Sequence, residues 1–104
     1  MDKHLVEFET IEWVNACEGM RYKKFERDGK VLRLMELTDQ YKELEWCTHG
    51  HIGVILEGEF HVEFENHREH FKEGDIVFIS GGVEHKHKAM VPSGKKMKML
   101  SFEL

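Results

Sequence analysis

The chain has 104 residues, 40% hydrophobic and 34% charged, with a single proline. That fits one packed domain and excludes disordered, collagen-like and mucin-like classes. A formal charge of -5 counts against a nucleic-acid surface, which calls for clustered lysine and arginine.

In chain order, "HLVEF" (residues 4–8) reads as an apolar N-terminal strand, at a sheet edge or exchanged with a partner. "FETIEWVNACEG" holds at most a helical turn or two. "MRYKKFER" and "KVLRLMELT" flank Asp28-Gly29, a hairpin turn whose residues favour positive φ. "LTDQYKELE" is the second segment with room for a helical turn. "GEFHVEFE" alternates, with Phe60, Val62 and Phe64 on one face of a half-buried strand. "HREHF" follows a polar turn, and "EGDIVFIS" carries a fully apolar strand over Ile76 to Ile79. "GGVEHKHKAM" and "KKMKMLSFEL" complete the series. About eight to ten short antiparallel strands predict an all-β barrel or sandwich over residues 1–104. Repeated glycines at 50, 53, 58, 74, 81 and 82 argue against a helical centre.

The chemistry concentrates in "CTHGH" and "EHKH". In a strand, residues two apart share a face, so Cys47, His49 and His51 on one strand and His85 and His87 on another could converge on one lumen. Nitrogen and sulfur donors suit zinc, iron, nickel or copper rather than calcium or magnesium. Three protein ligands would leave a coordination position open. From the residues alone Cys47 is read as a small buried core residue ahead of a ligand, and His49, beside Gly50, as a loop residue ahead of a ligand. His4, His61, His67 and His70 fall in solvated-face or turn patterns.

These segments resemble the cupin superfamily of small jelly-roll barrels over residues 45–89. "GDIVFISGGVEHKHKA" is similar to the second cupin motif, with Gly74, Gly82 and His85 on its glycine, glycine and histidine; Ser80 and Ala89 replace its proline and asparagine. "VILEGEF" is similar to the end of the first motif, with Gly58 as its glycine. That register puts His51 on the motif's glutamate, and Cys47 and Glu45 on its two histidines, or Trp46 and Leu44 at the motif's longer spacing. The resemblance implies a single-domain cupin with a divalent transition metal (zinc, iron, nickel or manganese) held by His51 and His85 as the core pair. His49, Cys47 or His87 would complete the set. Trp46, Met35, Phe60, Phe78 and Met99 are expected to line a small-molecule pocket in the lumen. Metal-dependent dioxygenase or isomerase chemistry is one expectation; a non-catalytic binding or sensing module, with structural metal or none, is the other. Catalytic residues are not identified. A homodimer is also expected, with no nucleic-acid partner.

Two further expectations concern location. No apolar run approaches the roughly 18 residues of a membrane span. "MDKHLVEFET" lacks the apolar stretch of a secretory signal, so a cytoplasmic setting with Cys17 and Cys47 reduced is expected.

Overall fold

In a computed structural model, which describes residues 3–103, the described residues form eight antiparallel strands: β1 (Val14–Cys17), β2 (Met20–Arg27), β3 (Lys30–Thr38), β4 (His51–Phe64), β5 (Arg68–Lys72), β6 (Ile76–Ile79), β7 (His87–Met90) and β8 (Lys96–Glu103). The only helical pieces among the described residues are two single 3-10 turns, Phe8–Thr10 and Val83–His85. Pairing runs β1-β2-β3-β8-β4-β5, with β6 and β7 also on β4.

Residues 51–58 of β4 pair with β8 and β6 in one sheet, and residues 59–64 pair with β5 and β7 in the other. The strand changes sheets at a register slip between Ile55 and Glu57. Gly58 follows with φ 76, and a Cβ there would lie 1.8 Å from the Lys96 carbonyl oxygen. Only glycine tolerates both the left-handed backbone and the close approach. One strand thereby closes two sheets into a jelly-roll sandwich.

The predicted hairpin forms as read. β2 and β3 pair from Arg27↔Lys30 to Met20↔Leu37, and Asp28 (φ 53) with Gly29 (φ 73) makes the two-residue turn. The β4 alternation also holds, with Phe60 and Val62 buried. Two segments differ from the expectation. Residues 4–7 form no strand, and the chain there is tied to β2 by Lys23 Nζ donating to the Phe8 carbonyl at 2.8 Å. The stretch 41–45 is extended rather than helical, with Tyr41 and Glu43 turned inward and Lys42, Leu44 and Glu45 exposed. Leu104, the end of the last predicted strand, lies outside the described residues.

Leu37, Ile55, Val62, Val77 and Met97 are almost fully buried between the sheets. The first sheet is apolar on its outer face as well. Ile52 and Val54 of β4 lie between Phe78 and Ile76 of β6 and Phe102 and Leu100 of β8.

Candidate metal centre and lumen

At one end of the sandwich, Cys47 sits in an isolated bridge to His87, each backbone N–H donating to the other's carbonyl at 2.8 and 3.0 Å. His51 opens β4 and His87 opens β7. Between Cys47 and His51 the chain makes a loop, held by the Gly82 N–H donating to the Thr48 carbonyl at 2.9 Å. Donor atoms of Cys47, His51 and His87 all lie within 4.8 Å of one another. Cys47 Sγ is 3.8 Å from His51 Nε2, and the two imidazoles meet edge-on with centroids 5.0 Å apart.

His87 is 3% exposed. Its Nδ1 lies 2.9 Å from the His85 carbonyl, a contact that is favourable only when Nδ1 carries the proton and donates it. The proton on Nδ1 leaves Nε2 with a free lone pair, buried and with no hydrogen-bond partner among the described residues. A buried polar atom left unpaired costs about 1–3 kcal/mol, so this lone pair calls for an occupant. His51 is held below its ordinary pKa of 6.5, first by burial and then by the imidazoles of His87 and His49, which keeps it neutral at physiological pH. Two imidazole lone pairs and a thiol converge, with one ring oriented from behind by a backbone carbonyl. That is the ligand geometry a soft or borderline transition metal takes. For a tetrahedral zinc the bond lengths place sulfur and nitrogen donors about 3.5 Å apart, close to the separation found.

The expected ligands divide. His51, Cys47 and His87 come together. His85, expected to face His51, is exposed and outside the group: it ends the Val83–His85 3-10 turn, so strand periodicity does not link it to His87. His49 is exposed at the loop's tip, because the Cys47–His51 stretch is a loop rather than one strand. Of the expected pocket residues, Met35, Phe60 and Met99 line an internal cavity of about 100 Å³. Phe78 is 70% exposed on β6 and Trp46 37% exposed beneath Lys86 and Lys88, so neither lines it.

The cavity wall also contains Tyr41 and Glu43. Burial, reinforced by the Glu43 carboxylate, raises the Tyr41 pKa well above its usual value and keeps the hydroxyl protonated. Glu43 is fixed by accepting the Ala89 N–H at 2.7 Å. Their period-two spacing with Cys47 was the available signal, masked by the charged, helix-prone composition of "QYKELE". A wider mouth of about 430 Å³ adjoins the centre, lined in part by Arg33, His49 and Ser101, and it shares Met35, Cys47 and His51 with the cavity.

Residues 43–103 match the cupin domain family. The chain is a cupin. No curated protein matches its sequence. Among solved structures, this cupin resembles the polyketide cyclase RemF from Streptomyces resistomycificus, with a TM-score of 0.79 and 19% identity over 98% of this chain and 78% of that one. It also resembles an RmlC-like cupin from Shewanella frigidimarina, with a TM-score of 0.69 and 19% identity over 96% of this chain and 91% of that one. The third neighbour is the iron(II) form of HppE, with a TM-score of 0.74 and 16% identity; the cupin is covered completely and spans 62% of that longer chain. At these identities the likeness establishes the fold.

Proposed function

We propose that this cupin holds a divalent transition metal on Cys47, His51 and His87 and binds a small molecule beside it, in the mouth that opens onto the centre. The observation that carries the reading is the buried, unpartnered Nε2 of His87, oriented through Nδ1 by the His85 carbonyl and set beside the donors of His51 and Cys47. HppE, a fold neighbour, is an iron(II) protein, which supports a transition metal in such a barrel. Zinc, iron and nickel suit one thiolate and two imidazoles; manganese, which favours oxygen ligands, suits them less.

Bound there, the ion would act as a Lewis acid with a coordination position left for water or ligand. The chain's own residues supply the rest. The inner cavity, walled by Met35, Phe60, Met97 and Met99, keeps the inward side of the centre dry. Tyr41, whose hydroxyl stays protonated beside the Glu43 carboxylate, forms part of the same wall. At about 100 Å³ the inner cavity is below the roughly 300–1,000 Å³ of small-molecule sites, whereas the mouth, at about 430 Å³, falls within that range. The ligand is therefore assigned to the mouth. A cytoplasmic setting, which keeps the Cys47 thiol reduced, completes the reading.

The test is elemental analysis of protein purified without an affinity tag, beside His87→Ala. Near-stoichiometric metal in the wild type and at least a tenfold loss in the variant are expected. Equal, near-zero metal in both would end the metal reading.

A further inference from the structure

The mouth contains a feature that the metal reading leaves unused. Arg33 lies on the inward face of β3, level with Ser101 of β8, which is in turn level with Gly53 of β4, two residues beyond His51. Its guanidinium carbon stands 4.5 Å over the Tyr22 ring, which fixes the plane of the group. Glu103 takes one donor, its Oε1 lying 2.7 Å from Nη2. Nε, on the same edge of the guanidinium plane, is buried and has no partner among the described residues. A guanidinium edge is built for two oxygens at once, so this fork is half used.

We infer that the mouth recognises the carboxylate of a small organic acid through the Nε–Nη2 edge of Arg33, with Glu103 as the group that the ligand displaces. This rests on the mouth being the ligand site of the proposed function. Glu103 suits the placeholder role: its side chain is 46% exposed, so it can swing into solvent. Arg33, at 25%, is held between Tyr22 and the sheet. The remaining lining points to an acid with a short apolar body, because Met35, two residues from Arg33 on the same inward face of β3, lines the same opening. His49 and Ser101 supply further polar contacts at the rim and the floor. An acid held by its carboxylate at Arg33 extends along the shared lining, Met35, Cys47 and His51, toward the metal centre. Arg33 thus acts as a specificity-determining residue that selects anionic ligands before they reach the centre.

The experiment follows the backbone amide and arginine Nε–H resonances of the full chain during titration with lactate and pyruvate. Lactamide serves as the neutral match and inorganic phosphate as a competing anion, and each titration is run metal-free and zinc-loaded. An acid should shift the Arg33 Nε–H and Ser101 amide signals saturably, while lactamide leaves them in place. Arg33→Gln should weaken acid binding at least tenfold, Arg33→Lys should fall between, and Glu103→Gln should tighten it severalfold. The inference is overturned if neither acid moves those signals, if phosphate binds there more tightly than the acids, or if Arg33→Gln binds as the wild type does. Zinc content measured on the same samples separates the two readings. Acid binding in a protein that takes up no zinc removes the metal reading alone, and zinc uptake without acid binding removes this inference alone.

Discussion

At the scale of single residues, the two histidines of "EHKH" carry opposite expectations. The motif register selects His85; the folded chain turns His87 inward and leaves His85 to contribute its backbone carbonyl. Substitution separates them. His85→Ala keeps that carbonyl, so it should retain metal close to the wild-type level, while Cys47→Ala and His51→Ala should each lose at least tenfold, since removing a ligand costs at least as much as the 10–100-fold seen for outer partners. Metal-to-protein ratios after dialysis against a weak chelator give the answer, and a His85→Ala protein devoid of metal would return the assignment to the motif. His51 was legible because Gly58 fixes the register of "VILEGEF". His87 was not singled out, because the two-residue spacing treats positions 85 and 87 as equivalent. A single 3-10 turn, with three residues per turn rather than two, breaks that equivalence. Arg33 was hidden for a related reason: it interrupts "VLRLMEL", where both faces of the strand are apolar and no alternation marks the inward side.

Elements were more legible than residues wherever a turn or an alternation had a local cause, as in the β2–β3 hairpin and β4. The long bent strand supplies a paired test. Gly58 and Gly29 both have positive φ, 76 and 73, but a Cβ at Gly58 would strike the Lys96 carbonyl at 1.8 Å, whereas at Gly29 nothing lies within 4 Å. Gly29→Ala should therefore cost about 1 kcal/mol, from backbone conformation alone. Gly58→Ala should cost about 2–4 kcal/mol, because β4 and β8 must also move apart. Urea unfolding of the two variants measures the difference, and equal losses would show that the close approach relaxes freely. The second sheet adds a pH dependence. His61 on β4 faces His70 on β5, with rings 4.8 Å apart. Partial burial first, then His70 and Arg68, hold the His61 pKa below 6.5. The unfolded chain therefore takes up this proton more readily than the folded one. No penalty from His61 exists above pH 6.5, and stability falls as the pH drops below it. The fall in unfolding midpoint between about pH 7 and about pH 5 should be larger for the wild type than for His61→Gln. Parallel slopes would remove His61 as the source.

For the whole molecule, the informative feature is a strand that is apolar on both sides. "IVFI" reads as buried on both faces, the pattern of a strand covered above and below. The single chain covers only one: Val77 and Ile79 are 1% and 6% exposed, Ile76 and Phe78 63% and 70%. The same outer face continues across Ile52, Val54, Leu100 and Phe102 to Leu32 and Leu34 of β3. These residues lie on four neighbouring strands, β6, β4, β8 and β3, a width of roughly 15–19 Å. They form the apolar centre of a contact that needs the charged border as well to reach the roughly 800 Å² per partner of a stable complex. The charges bordering it alternate in sign, with Arg21 and Lys98 both paired to Glu36 and Lys98 also near Glu57. A two-fold interface sets a surface against itself, and mixed signs allow that where a single sign would repel. We therefore propose a second copy of the chain as the cover, on this face rather than along residues 4–8, where the expected edge strand does not form. Light scattering should give a dimer at micromolar concentration. Phe78→Glu, a substitution at a side chain that contributes little to the monomer's core, should weaken it at least tenfold while the unfolding midpoint of the isolated monomer stays near that of the wild-type monomer. A wild type that remains monomeric at these concentrations would leave the face uncovered and the proposal wrong.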